Sequence, residues 1–226
     1  LQSTVEGGRL TISWVSVIPV CDSCWLSRLG SVSDSSNWTI RASDFGVPLD
    51  EIRSSVEAEL KASIAEVFSS FDTTPKAAAS IAQVHFATLK SGEKVAVKIQ
   101  RPGIDKIIQN DISILRGLAV LLEKYIPEVE PFNPVGLVEE FFQSIVFELD
   151  FRVESNNIRK IKHNLRNLEK ISIPKVFEQF SSSKLLVLEQ FEGIRFSDRE
   201  AILKAGIDPK SIVETGADAF FHMVMH

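Results

Sequence analysis

The chain has 226 residues, with 25 lysines and arginines against 30 aspartates and glutamates, so its formal net charge is −5. That length and an apolar fraction of 44% suit one domain, or one and a half, with a sizeable core. The acidic balance argues against a nucleic-acid-binding module, and no apolar run approaches the roughly 20 residues that span a bilayer. We therefore expect a soluble domain, at most apposed to a membrane.

The first 46 residues differ in composition from the rest of the chain. All three tryptophans and both cysteines, Cys21 and Cys24, lie in this segment. It has no sustained helical or strand periodicity, and it fits neither a signal peptide nor a transit peptide. Two cysteines alone exclude a disulfide scaffold and a four-cysteine zinc site. The sequence predicts that residues 1–46 are a poorly structured extension and that residues 47–226 form the domain.

From Pro48 onwards the pattern becomes regular. The predicted elements are helices within 49–60 and 64–71, a hairpin of strands 84–89 and 94–100, a helix over 107–122, a long helix from Pro134 to about Arg166 with Asn133 as N-cap, a strand pair over 171–180 and 184–191, and helices near 198–205 and 209–226. Hairpin, helices, hairpin and helices indicate an α+β domain. The same order is typical of the small lobe of a protein kinase with extra helices.

A loop of small residues precedes a strand that ends in lysine. The loop contains Ala77, Ala78, Ala79 and Ser80, and the strand reads Val95-Ala96-Val97-Lys98. In a kinase lobe such a loop covers the nucleotide phosphates, and a lysine on the third strand pairs with the α- and β-phosphates. The alternative is a packing turn followed by a strand that ends in a solvated lysine.

The long predicted helix carries an acidic cluster. Asp150, Glu154 and Asn157 fall at i, i+4 and i+7, which places them on one face of an ideal helix, while Glu148 lies on the other side. The simplest explanation is a solvated acidic face. Acidic residues at i and i+4 repel mildly, so a partner cation such as Lys98 would explain Glu154.

Together these motifs resemble the UbiB family, the aarF-domain atypical kinases associated with ubiquinone biosynthesis. The resemblance covers about residues 47–226. Its motifs are Ala77-Ala78-Ala79-Ser80 with Gln83-Val84-His85, Val95-Ala96-Val97-Lys98 with Ile99-Gln100-Arg101-Pro102-Gly103, Glu148-Leu149-Asp150-Phe151 with Glu154 and Asn157, and Leu188-Glu189-Gln190-Phe191-Glu192-Gly193.

The resemblance implies a protein-kinase-like fold: an N-terminal lobe with extra helices and the start of a helical C-terminal lobe. It implies that Lys98 pairs with nucleotide phosphate and with Glu154, within the usual ion-pair limit of about 4 Å. It also implies a nucleotide loop at 77–80 and a family acidic motif at Glu148 and Asp150. A hinge of Glu189, Gln190 and Phe191 would meet adenine through its backbone.

The implied cofactors are ATP and, in the full-length protein, Mg²⁺. The implied partners are the nucleotide and membrane quinone precursors or quinone-biosynthesis proteins, with no nucleic acid. Membrane association would be at the bacterial cytoplasmic face, or in a mitochondrion or plastid. The alternative function is a non-catalytic pseudokinase or interaction module that engages a membrane-bound biosynthetic complex, whereas the alanine loop disfavours an ordinary protein-kinase lobe.

Several family features are missing from these residues. No glycine is followed by glutamine, so the Lys-x-Gly-Gln motif is absent, and Ala82 replaces a usual glycine. No histidine is followed two residues on by aspartate, so the catalytic loop is absent too. Asp44-Phe45-Gly46 precedes the nucleotide loop, whereas the metal-binding motif of kinases follows the catalytic loop. We expect a piece of a longer protein that has no metal ligands of its own and is inactive alone.

The lack of periodicity in the first 46 residues generates a testable prediction. Limited proteolysis of the chain is expected to cut before Pro48 and leave a resistant core, because a segment without packed elements is accessible to proteases. The fragments can be assigned by mass spectrometry. Retention of the segment at protease levels that already nick later loops would contradict the prediction.

Overall fold

A computed structural model describes residues 2–6, 9–13, 47–79, 81–195 and 198–225. The strands are β1 (Gln2–Glu6), β2 (Arg9–Ser13), β3 (Phe68–Phe71), β4 (Ala77–Ala78), β5 (Ala82–Leu89), β6 (Lys94–Gln100), β7 (Ile171–Ser172), β8 (Leu185–Glu189) and β9 (Ile194–Arg195). The α-helices are α1 (Leu49–Leu60), α2 (Ile64–Val67), α3 (Ile104–Tyr125), α4 (Pro134–Leu149), α5 (Phe151–Asn164), α6 (Arg199–Lys204) and α7 (Pro209–Met225). Short 3₁₀ helices cover Pro127–Phe132 and Glu178–Phe180.

The main sheet is antiparallel throughout. Its strands lie in the order β3-β5-β6-β8, and β4 pairs with β5. The predicted hairpin is confirmed as β5 and β6, and the turn between them needs Gly92 because its φ is 94°. The predicted α+β class is confirmed, because antiparallel strands and helices together make up the domain.

The two faces of this sheet pack against different helices. On one face, Val95, Val97 and Ile99 of β6 join a core with Ile52 and Val56 of α1. The core on the other face includes Leu186 and Leu188 of β8 with Phe151 and Ile158 of α5. Since side chains alternate along a strand, Lys98 emerges on the α5 face.

The predicted long helix is wrong, because it breaks at Asp150. Helix α4 ends at Leu149, and Asp150 adopts φ −94° and ψ 98° as the N-cap of α5, its carboxylate accepting from the amide of Arg152. The buried amide side chain of Gln100 donates to the carbonyl of Leu149 at 2.6 Å. A side chain on a distant strand therefore satisfies the end of α4, which helical periodicity cannot reveal.

Two shorter elements also differ from the predictions. Residues 68–71 form strand β3 rather than the end of a helix, because they pair with β5. In the predicted strand over 171–180, only β7 and an isolated bridge between Val176 and Leu188 are β-structure. The 3₁₀ helix at 178–180 completes that segment.

A second, smaller sheet involves the start of the chain. Its order is β7-β2-β1-β9, so residues 2–6 and 9–13 pair with each other and with strands from the later part of the chain. Sequence periodicity did not predict these strands. Leu10 and Ile12 do alternate with polar residues, but over too short a run to stand out. The boundary near residue 46 stays a prediction.

Candidate functional site

Lys98 is a buried lysine held by an ion pair. Its residue is 6% exposed, and its Nζ lies 2.6 Å from Oε2 of Glu154. The same Nζ lies 4.7 Å from the ring centroid of Phe151, a cation–π distance. The ion pair predicted from the sequence is confirmed, although the two residues are 56 positions apart.

Glu154 lies in the first turn of helix α5, and contacts of the neighbouring residues hold that turn next to Lys98. Phe151, the first residue of α5, is 1% exposed, and its amide donates to the carbonyl of Ser183. Two side chains on one face of strand β6 contact the junction between α4 and α5. Lys98 pairs with Glu154, and Gln100 donates to the carbonyl of Leu149. The position of Glu154 is therefore set by packing and hydrogen bonds before any ligand binds.

The carboxylate of Glu154 uses only one of its oxygens in this pair. Oε1 is buried, and among the residues that the structure describes it has no hydrogen-bond partner. A carboxylate oxygen can accept more than one hydrogen bond, and a buried unsatisfied acceptor is costly. Oε1 therefore offers an acceptor position beside Lys98.

The alanine-rich loop lies across the sheet from Lys98. Ala77 is opposite Val84, Val84 is opposite Lys98, and Lys98 is opposite Leu186 in one row of the sheet. The amide of Ala79 donates to the carbonyl of Ala82 at 2.8 Å and closes the turn. Ala77 and Ala78 are half-buried, and Ser80 lies outside the described residues.

The predicted hinge begins at Glu189, the last residue of strand β8. The amide of Glu189 donates to the carbonyl of Lys175, and that of Gln190 donates to the carbonyl of Lys94. For the amide of Phe191, no acceptor occurs within the described part of the chain. Glu189 lies three residues beyond Leu186, the β8 partner of Lys98, so about 10 Å separates the hinge from the lysine along the strand.

The chain matches the ABC1 atypical kinase-like domain over residues 44–226. It belongs to this family. The "Probable protein kinase UbiB" of Marinobacter nauticus is 37% identical over 188 residues, covering 79% of this chain and 34% of that protein. The protein of the same name from Cellvibrio japonicus is 38% identical over 174 residues, covering 77% of this chain and 32% of that protein.

The family match and a solved structure confirm the predicted kinase-like fold. The structure of the complex of Rv3197 with erythromycin from Mycobacterium tuberculosis aligns with a TM-score of 0.56 and 30% identity. The alignment covers 69% of this chain and 38% of that one. The chain spans about a third of the length of the curated relatives named above.

The two residues of the acidic motif in this ABC1 domain have different surroundings. Burial raises the pKa of Glu148, and the charge of nearby Lys98 opposes that rise. The carboxylate of Asp150 receives hydrogen bonds from the guanidinium of Arg152 at 2.7 to 3.1 Å, which lowers its pKa. Asp150 and Glu154, predicted on one helical face, therefore pair with different cations.

Other residues singled out from the sequence lie outside the site. Cys21, Cys24, Asp44-Phe45-Gly46 and His226 all fall outside the described residues. Within the residues that are described, no group of three histidine, cysteine, aspartate or glutamate side chains is placed to hold a metal ion. No described helix has the length and apolarity to cross a bilayer.

Three buried polar residues of the ABC1 domain, Gln83, His85 and Gln100, lie in the motifs quoted from the sequence, but the sequence predicted no role for them. Gln100 fixes the break between α4 and α5, while Gln83 and His85 form a hydrogen-bonded pair behind the sheet. The available signal was a polar residue within an apolar strand. Such residues need partners when they are buried, but the sequence does not show which partners they have.

The burial of the Lys98–Glu154 pair generates a stability prediction. Lys98→Met and Glu154→Gln are each expected to lower the free energy of unfolding by about 1 to 3 kcal/mol, because each leaves a buried group without its counter-charge. The double variant should lose clearly less than the sum of the two. Urea unfolding followed by circular dichroism measures all three values.

The matched control is a second lysine on the same strand. Lys94 pairs with Glu192 at the same 2.6 Å, but both side chains are 62% exposed. Solvent screens this pair, so Lys94→Met and Glu192→Gln should change stability little and show little coupling. Equal coupling in the two pairs would contradict the view that burial makes Lys98–Glu154 important.

Proposed function

We propose that the chain is the nucleotide-binding lobe of a UbiB-type atypical kinase and that its ligand is ATP. The observation that carries the proposal is the buried ion pair of Lys98 and Glu154, in the same row of the sheet as the alanine-rich loop. Burying a lysine is costly unless it is paired, and a buried titratable group with a specific charged partner is a candidate for a functional site.

Each proposed contact uses a different part of the lobe. The ammonium of Lys98 binds phosphate oxygens, and Glu154 orients that ammonium. The loop of Ala77, Ala78, Ala79 and Ser80 covers the phosphates from the neighbouring strands. The hinge of Glu189, Gln190 and Phe191 meets adenine, with the amide of Phe191 as its available donor. Lys98 and Glu154 are thus the proposed catalytic residues of the lobe.

The acidic residues near Lys98 do not form a magnesium site within the described part of the chain. The best candidates are Glu148, which is half-buried, and Asp150, which is engaged by Arg152. A Mg²⁺ ion in proteins is usually bound by one or two carboxylates together with substrate phosphates, in octahedral geometry. The described residues do not fit that arrangement, so we place the Mg²⁺ ligands of the full-length protein elsewhere.

The proposed biological setting follows the UbiB names of the relatives. We place the protein in ubiquinone or related isoprenoid-quinone biosynthesis, with membrane quinone precursors or other biosynthetic proteins as its partners. Its proposed location is at a membrane surface, on the bacterial cytoplasmic face or in a mitochondrion or plastid. The chain spans about a third of the length of the curated relatives, so we propose no physiological substrate for the lobe by itself.

A second candidate function is a non-catalytic interaction module. It is favoured by a stripe of apolar side chains on α3: Ile107, Ile114, Leu118, Leu121 and Tyr125 are all at least half exposed at helical spacing. Large exposed apolar patches commonly mark interaction surfaces. In this alternative the kinase-like fold holds a partner protein and Lys98 has only a structural role.

The two candidates differ in their dependence on Lys98. The 226-residue chain is expected to bind ATP weakly, measured by isothermal titration calorimetry, and not to hydrolyse it, because it lacks the family's catalytic loop. In a longer protein that includes the catalytic loop, Lys98→Ala should lower the rate of ATP hydrolysis by about 100-fold or more. The matched control is Lys106→Ala, an exposed lysine on α3, which should leave the rate unchanged.

Two outcomes would reject the enzymatic proposal. One is ATP hydrolysis by the 226-residue chain on its own. The other is hydrolysis by the longer protein that does not respond to Lys98→Ala. Partner capture that survives Lys98→Ala, together with no ATP binding by either protein, would favour the interaction module.

A further inference from the structure

His85 and Gln83 form a polar pair behind the main sheet. Both are 1% exposed on β5, where they lie opposite Val97 and Ile99 of β6. Val97 and Ile99 belong to the core that packs on α1. The pair therefore lies on the apolar face of the sheet, away from Lys98.

The hydrogen bonds of this pair fix the protonation of the imidazole. Nδ1 of His85 lies 2.9 Å from the carbonyl oxygen of Asp72, which can only accept, so Nδ1 carries the hydrogen. The amide of Val47 donates to Oε1 of Gln83 at 3.4 Å, which turns the amide nitrogen of Gln83 towards His85. That nitrogen lies 2.9 Å from Nε2 and donates to it. Nε2 must therefore be an acceptor, and the ring is neutral.

Asp72 connects the imidazole to the alanine-rich loop. Its carboxylate accepts from the amide of Thr74 at 3.1 Å and pairs with the ammonium of Lys76 at 2.6 Å. The amide of Lys76 then donates to the carbonyl of Val84, the residue between Gln83 and His85. Ala77 follows directly, opposite Val84. The turn that leads into the loop is thus fixed at both ends by β5.

We propose that His85 is a positioning residue that holds the alanine-rich loop from behind the sheet, and that adding a proton to its Nε2 releases the loop. A protonated Nε2 would face the amide nitrogen of Gln83, so two donors would meet in a buried space. Turning the Gln83 amide around would remove the opposed donors, but it would break the bond from Val47. Either change disturbs the residues on both sides of Val84.

The surroundings of the imidazole favour its neutral form. Burial lowers the pKa of His85, and the hydrogen bond and negative charge of Asp72 only partly oppose this. Within the described residues, Asp72 is the charged group that acts on the ring, and Lys76 neutralises it. The ring of Phe71 stacks on the imidazole at a centroid distance of 5.3 Å, and the remaining neighbours on β6 are apolar.

The predicted pH dependence has a defined sign. Since the pKa of His85 is lower in the folded chain than in the unfolded one, the unfolded chain binds the proton first as pH falls. The neutral ring and the held loop are therefore stable above the unfolded value of about 6.5, and the loop is released as pH falls through the folded value. The hydrogen bonds from Lys76 and Thr74 lower the pKa of Asp72, so its carboxylate stays charged through that transition.

Nuclear magnetic resonance of the isotopically labelled full chain tests this without any nucleotide. The ring signals of His85 should titrate below the unfolded value of about 6.5, and the amide signals of 76–79 should shift with the midpoint of His85. His163, on α5, is an exposed histidine. His163→Gln is the matched control and should leave those amide shifts unchanged. In His85→Phe, the pH dependence of the amides should disappear.

Two results would overturn the proposal. The amides of 76–79 could stay unchanged while His85 titrates, or they could show the same pH dependence in His85→Phe. If His85→Phe does not fold, as judged by circular dichroism, the unaltered chain still tests the proposal. The midpoint of the His85 ring signals should then equal that of the amide signals of 76–79, and different midpoints would reject the proposal.

A second arm uses ATP and rests on the proposed function. Lowering the pH through the His85 transition should weaken ATP binding by about two- to tenfold, the ratio that corresponds to one hydrogen bond, and His85→Phe should remove this dependence. Unaltered pH dependence in His85→Phe would count against the proposal. Absence of ATP binding at every pH would reject the proposed function, while the resonance experiment would still test the role of His85.

Discussion

The contact between β6 and the start of α5 is the constraint on which this site depends. Lys98 and Gln100 leave one face of β6 two residues apart, one to bind Glu154 and the other to bind the carbonyl of Leu149. Phe151, the first residue of α5, is buried in the core on this face of the sheet. A shift of the helix would therefore lose packing and hydrogen bonds together. The ion pair is thus a consequence of how the helix is fixed.

Local patterns predicted much of this fold because their causes are local. The β5–β6 hairpin, helices α1, α3 and α7, and the face on which Lys98 lies all follow from side-chain periodicity and turn residues. The pairing of Lys98 with Glu154 came instead from motif resemblance, since no periodicity joins residues 56 positions apart. The break at Asp150 and the strand at 68–71 were missed because partners distant in sequence determine them.

The same distinction applies to the buried polar residues. Gln83, His85 and Gln100 stand out in apolar strands, yet their partners are backbone groups of residues 47, 72 and 149 and one another. Almost every residue carries the same backbone groups, so the sequence does not show which of them is the partner, whereas the structure does. These residues lie on opposite faces of one sheet. Gln100 contacts the junction between α4 and α5, while Gln83 and His85 contact each other and the turn that leads into the alanine-rich loop.

The order of the strands has a consequence for how the chain folds as it is made. β5 and β6 are adjacent in the chain and can pair at once, but β8 reaches β6 only after helices α3, α4 and α5 have been synthesised. Closing so long a loop costs conformational entropy, so the pairing of β8 with β6 is slow. Until it forms, the backbone groups along that edge of β6 have no strand partner. We expect ribosome-bound intermediates that end before β8 to need chaperone protection of this unpaired edge.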